Sequence, residues 1–267
     1  MPEITDAYGH CGLRKYRPLP DVIAVSDRFG VARSVLVQHM GEFDNGYIGG
    51  AVRENPERFA GVFLVDMDAP DARDAISRWA ATGHFRGIRM AAPSILTHLA
   101  LWQHAAALGL QFVVSAPFPP APAQALGRFA AANPGNLLQL THLGLPVPAD
   151  APRFASLDPM LALASAGNVN VQVSGMHQRS QAPYSELLPA IHRVYEAFGP
   201  QRVLYGSNFP VMGEDTVYGL EIEMLRSGKL GISASALPEV MDANARQIWF
   251  RRQSLRAGSL VWRCAFG

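Results

Sequence analysis

A short run of β-branched or aromatic residues, then a turn, then an alanine- and leucine-rich stretch: this unit recurs along almost the whole chain. The strand-like runs lie at 3–7, 35–37, 59–65, 85–90, 110–115, 137–142, 169–174 and 202–206, and helical stretches read at 44–55, 71–81, 95–108 and 121–132. The runs are apolar throughout rather than alternating, as expected of strands buried on both faces. Strands that alternate with helices pair in parallel through crossovers. Eight such units close into a (β/α)8 TIM-type barrel, which typically takes roughly 250 residues. An open doubly wound sheet is the rival, but it usually carries a glycine-rich first turn, and neither GxGxxG nor GxxxxGK[ST] occurs here. Asn133-Pro134-Gly135 and Phe198-Gly199-Pro200 break the chain ahead of strands, and Gly109 and Gly167 sit where helices should stop. The 267 residues therefore read as one α/β domain, a barrel over 1–250 followed by a tail at 251–267.

Composition narrows the function classes. Lys+Arg number 23 against 22 Asp+Glu, so no basic footprint for nucleic acid is present. No apolar run approaches the roughly 20 residues that span a bilayer. Two cysteines, Cys11 and Cys264, stand at opposite ends without a CxxC pattern, which disfavours a disulfide framework and fits a reducing cytoplasm. Residues 1–10 lack the basic start and apolar centre of a secretory leader. In the tail, Leu260-Val261-Trp262 suits packing on the barrel or on a second subunit, which leaves a homo-oligomer open. The expected partner is a small-molecule substrate.

In a barrel of this kind, polar residues at the C-terminal ends of the strands are the functional candidates. Here they are Asp6 to Cys11, Gln38-His39, Asp66 to Asp68, Arg86 and Arg89, Ser115, Thr141-His142, Ser174 with His177, and Ser207-Asn208. His10, His39, His142 and His177 thus fall at one mouth, whereas His98, His104 and His192 lie in helical stretches and His84 on the entry side. Each candidate also has a plainer role. Asp66 and Asp68 suit helix capping ahead of Pro70-Asp71. Arg86 alternates out of phase with Arg89 and suits the barrel exterior, paired with a helix carboxylate. Ser174 and Ser207 suit backbone satisfaction, and Cys11 a small buried position.

The motifs in order resemble those of the amidohydrolase-related family, the branch of the amidohydrolase superfamily that includes lactone hydrolases and some decarboxylases. Asp6-Ala7-Tyr8-Gly9-His10 resembles its opening D-x-H-x-H, and Asn55-Pro56-Glu57-Arg58-Phe59 its third strand. Gly87-Ile88-Arg89 resembles a G-x-R strand, Thr141-His142-Leu143-Gly144 an H-x-G turn, and Val173-Ser174-Gly175 part of K-x-S-G. Phe198 to Pro210 resembles F-G-x-x-R-x-x-[FY]-G-S-D-x-P, and Asn244-Ala245 the closing helix.

The resemblance implies a divalent ion in metal-dependent members, held by two histidines of the first strand, histidines of strands 5 and 6, and the strand 8 aspartate. This chain has Tyr8, Ser115 and Asn208 at three of those positions and keeps only His10 and His142. Zinc normally takes three or four protein ligands, and neutral Asn or Ser replaces them poorly. The sequence therefore predicts no bound metal or other cofactor, with a weak ion on His10, His142 and His39 as the minor alternative. It predicts a metal-independent hydrolase of a small ester-like ring such as a lactone, with His10 or His142 activating water. Asn208 joins them in the catalytic set. Arg89 is expected to anchor an anionic group. Tyr8, His39, Ser115, His177 and Phe209 complete the substrate-binding set. The alternative is a divergent member without hydrolysis, a non-hydrolytic biosynthetic catalyst or a binder, whose pocket would be apolar and lined by Phe118, Phe209 and Met212.

Overall fold

Eight parallel strands follow one another around a single sheet in chain order: β1 (Ile4–Gly9), β2 (Val31–Val37), β3 (Phe59–Phe63), β4 (Phe85–Ala91), β5 (Gln111–Ser115), β6 (Leu138–Leu140), β7 (Val169–Val173) and β8 (Val203–Tyr205). The structure, a computed structural model, describes residues 3–211 and 213–250; the tail expected at 251–267 and Met212 lie outside the described residues. Every strand-like run of the sequence is a strand. The crossovers carry α1 (Leu19–Arg28), α2 (Gly46–Glu54), α3 (Ala72–Ala81), α4 (Leu99–Ala107), α5 (Pro120–Ala132), the single turn α6 (Asp158–Leu161), α7 (Leu188–Phe198), α8 (Asp215–Arg226) and α9 (Asn244–Trp249). This is a (β/α)8 barrel. No helix among the described residues is long and apolar enough to cross a membrane.

The sheet separates two apolar layers. Inside the barrel, Val35, Val37, Ala60, Val62, Val113 and Leu204 meet Ala7, Tyr8 and, at the floor, Trp249 of α9. Outside, Leu36, Phe63, Ile88 and Phe112 pack against helix residues such as Ile76, Trp102 and Phe129. Gly87 shows how tight the floor is: a Cβ there would stand 2.6 Å from the Gln111 carbonyl and 2.9 Å from the Trp249 ring. The β3–β4 register shifts between Gly61 opposite Phe85 and Val62 opposite Gly87, which leaves Arg86 unpaired in the ladder. Arg86 forms no ion pair with a helix carboxylate among the described residues and lines a cleft at the floor with His84 and Phe250. The exterior pairing expected for it is therefore corrected, because the bulge breaks the alternation on which that expectation rested.

The seam between β8 and β1 is closed by other means than a ladder. At the mouth, Asn208 N–H donates to the Tyr8 carbonyl and His10 N–H to the Phe209 carbonyl, both at 2.8 Å. At the floor, the Thr5 hydroxyl donates to Asp242 at 2.6 Å, within the π-turn Glu239–Ala243. After β6 the proline-rich loop folds into short turns. Arg193 of α7 ties it down through the Phe154 carbonyl at 2.8 Å and Asp158 at 2.6 Å.

Candidate active site

The strands deliver their polar residues at or just beyond their last paired positions. Tyr8 of β1 stands at the centre of the mouth, its ring edge-on to His10 and to His142 at 4.9 Å each. The Arg89 guanidinium of β4 lies 5.6 Å over the same ring. Tyr16, from the loop after β1, stacks on His10 at 5.0 Å and meets His39 edge-on at 5.0 Å. His177 Nε2 lies 3.4 Å from the Asn208 amide nitrogen. Tyr8, His10, His39, Arg89, Ser115, His142, His177 and Asn208 thus share one end of the barrel. The side chain of Phe209 does not join them. It is 1% exposed, packs against Tyr218 at 5.2 Å and lies under Arg17. The chain turns after Asn208, so the Phe209 ring enters the core apart from the other residues expected to bind substrate, while its carbonyl accepts from His10 N–H.

Hydrogen bonds set the state of each group. Arg89 donates from Nε to the Ser115 hydroxyl at 3.0 Å and from Nη1 to the Gln38 carbonyl at 2.9 Å, while Nη2 has no partner among the described residues. His10 Nδ1 lies 2.6 Å from the Val37 carbonyl, which can only accept, so the proton sits on Nδ1, and the Asn208 side chain also hydrogen-bonds this imidazole. Ser174 Oγ donates to Gln172 Oε1 at 3.3 Å and accepts from His142 Nδ1 at 2.9 Å, which frees His142 Nε2. Burial, then the Arg89 charge, pushes His10 down to about 3 and holds His142 well below the usual imidazole value. Both are neutral at neutral pH, and both are weak bases. The Tyr8 hydroxyl is raised by burial and has no partner. An unmet buried donor costs about 1–3 kcal/mol, which a ligand oxygen would offset.

The backbone that presents His142 is unusual. His142, Leu143 and Leu145 all have φ between 54° and 58°, in the left-handed region that side chains other than glycine avoid. Gly175, at φ 66°, makes room for the imidazole: a Cβ there would stand 2.7 Å from His142 Nδ1. Ser174 therefore contributes its hydroxyl and its neighbour contributes the absence of a side chain.

The family profile for amidohydrolases matches residues 8–251. The chain belongs to the amidohydrolase family. No curated protein matches this amidohydrolase by sequence. Several solved structures share its fold. One, from Acinetobacter baumannii, is a probable 2-pyrone-4,6-dicarboxylic acid hydrolase with citric acid bound. It is 16% identical with TM-score 0.75, over 92% of this chain and 98% of that one. An amidohydrolase from Burkholderia multivorans with bound zinc is 19% identical with TM-score 0.71, over 92% and 98%. A 2,6-dihydroxybenzoate decarboxylase from Rhizobium is 13% identical with TM-score 0.67, over 93% and 98%. At these identities the likeness concerns the fold.

The residues at the mouth of this amidohydrolase do not fit a resident divalent ion. No three His, Cys, Asp or Glu side chains converge as a metal-binding group among the described residues. The Tyr8 ring fills the space between His10 and His142, and Ser115 and Asn208 offer neutral oxygens. Burial pushes the Cys11 thiol up to about 12, so it keeps its proton and is a poor ligand.

Sequence reasoning missed two groups, Glu221 and Tyr16, and gave Asp6 no role of its own. Glu221 of α8 is fully buried. It accepts from the Tyr184 hydroxyl at 3.0 Å and lies 3.3 Å from His177 Nδ1. A signal existed: Glu221 falls on the apolar stripe of α8 with Tyr218, Ile222 and Leu225, where a carboxylate is out of place. Asp6 accepts from the Tyr8 and Ser207 amides at 3.0 and 2.8 Å, and from the Ser207 and Tyr218 hydroxyls at 2.5 and 3.0 Å. Tyr16 lies in a loop whose path no periodicity gives.

Proposed function

We propose that this amidohydrolase is a metal-independent hydrolase of a small carboxylate-bearing lactone or related ester, in which a mouth histidine activates water. The observation that carries the reading is the free edge of Arg89. Two of its three nitrogens are tied to Ser115 and Gln38, and the third is open. The fork is thus pre-oriented for a carboxylate or a developing oxyanion. The unpartnered Tyr8 hydroxyl offers a further donor. Two neutral imidazoles, His10 and His142, flank the Tyr8 ring. Citric acid in the Acinetobacter baumannii structure, and the 2-pyrone-4,6-dicarboxylic acid for which that protein is named, suit such a mouth. An apolar binding pocket is less well supported, because Phe118 and Phe209 are both buried in the outer core.

The test is a lactone panel assayed after dialysis against chelator, with 2-pyrone-4,6-dicarboxylate beside uncharged lactones. Turnover is expected to survive chelation and to favour the carboxylated ring. Arg89→Ala should raise KM about ten- to a hundredfold, the worth of a charged hydrogen bond at roughly 1.5–3 kcal/mol. Turnover that vanishes on chelation and returns with zinc would sink the reading.

A further inference from the structure

We propose that His177, held by the buried carboxylate of Glu221, is the general base of this site, and that Asn208 replaces the family's aspartate because that base has moved. As a hydrolytic assignment, this rests on the reading above.

The geometry is a three-membered chain running from core to mouth. Glu221 is fully buried on the inner face of α8, with one carboxylate oxygen shared by the Tyr184 hydroxyl at 3.0 Å and His177 Nδ1 at 3.3 Å. Its other oxygen has no partner. Burial pushes the Glu221 carboxyl up, and its bonds to His177 and Tyr184 oppose that; as a carboxylate it only accepts, which places the His177 proton on Nδ1 and turns the Nε2 lone pair outward. The His177 side chain is 12% exposed, so that lone pair can meet water. The Asn208 amide nitrogen, a donor, lies 3.4 Å from Nε2, a long contact that a water can displace.

This arrangement meets the two demands on a base: a free lone pair, and a fixed anion behind the ring to stabilise the imidazolium that forms. His10 and His142 lack the second. Each gives its Nδ1–H to a neutral oxygen, and the Arg89 cation faces both. The proton and electron pairs balance without a metal. Water attacks the ester carbonyl while His177 Nε2 takes its proton, and the carbonyl π pair moves onto oxygen beside Arg89. Collapse of the tetrahedral intermediate breaks the ring C–O bond, and the departing alkoxide recovers the proton from Nε2.

Asn208 then has a reason. An aspartate there would put a second carboxylate against the same imidazole, fix it as an imidazolium and remove the lone pair. A neutral amide leaves it free.

Wild type, His177→Gln, Glu221→Gln and Asn208→Asp are assayed on the same chelator-treated lactone panel, with folding checked by circular dichroism. His177 reactivity is read separately by diethyl pyrocarbonate labelling and peptide mass mapping, which needs no substrate. His177→Gln is expected to lower kcat by about a hundredfold or more with KM little changed. Glu221→Gln, which keeps the shape but not the charge, should lower kcat roughly tenfold or more and slow labelling of His177. Asn208→Asp should lower kcat as well. Hydrolysis that survives His177→Gln, or rises in Asn208→Asp, overturns the dyad and leaves the hydrolase reading standing. If wild type hydrolyses nothing on the panel, the hydrolase reading falls, and labelling decides the dyad. His177 labelling that depends on Glu221 upholds it as an activated base, and labelling indifferent to Glu221 overturns it.

Discussion

His10 and His142 are buried neutral in the folded chain, and this has a cost in acid. In the unfolded chain each takes up a proton near the usual 6.5, whereas folded His10 resists until about 3. His142 also lies well below its usual value, from burial first and then from Arg89. Between those limits the unfolded state binds more protons than the folded one. Stability is therefore full above about pH 6.5 and falls as the pH drops through that window, by about 1.4 kcal/mol per pH unit for each imidazole. Urea denaturation at a series of pH values reads this slope directly, and His142→Gln should flatten part of it. A stability that stays level between neutral pH and about pH 5 would mean that these rings are not buried neutral.

The elements that matter most to the site are the two that do not pair as a ladder, β1 and β8. Asp6 closes the mouth end of that seam with four hydrogen bonds, against a burial that pushes its carboxyl up. Asp6→Ala would strand the Tyr8 and Ser207 amides and two hydroxyls. The expected loss is about 3–5 kcal/mol, as for breaking other buried charged networks. Because the same turn carries His10 and Asn208, kcat should fall too. Thr5→Val cuts the floor end of the seam, losing the bond to Asp242 and about 1 kcal/mol, with kcat unchanged. Thermal melts and assays of the two variants side by side separate the ends. A normal kcat in Asp6→Ala would show that the seam does not position the site. The seam also shows what the sequence could convey. All eight strands were legible because each is a local apolar run, and His10, Arg89, His142 and Asn208 were legible because they end strands. Asp6 meets Ser207 and Tyr218 across some 200 residues, and Glu221 meets His177 across 44, so no local pattern joins them. The inward turn of Phe209 depended on a backbone path that residue types do not specify. α1 was missed because only a few of its residues, such as Val22 and Val25, face the core.

At the scale of the whole barrel, mouth and floor divide function from stability. Trp249 of α9 closes the floor, 1% exposed, with its indole N–H donating to Gln139 at 2.7 Å. Gly87 is held to glycine by that ring, and Ala60, Val62 and Ala245 share its cluster. Trp249→Ala should cost about 3–5 kcal/mol, the usual price of emptying a large aromatic site. Trp249→Phe should lose chiefly the hydrogen bond, about 1 kcal/mol. Barrel active sites draw on the C-terminal ends of strands, so kcat below the melting range should be nearly unchanged in both. A route of communication nevertheless exists. Gln139, the partner of Trp249, also donates to the Ala7 carbonyl at 3.1 Å, and Ala7 precedes Tyr8. If calorimetry shows the expected loss while kcat also falls in Trp249→Phe, then Gln139 transmits the floor's packing to Tyr8, and the barrel interior is one coupled core rather than two ends.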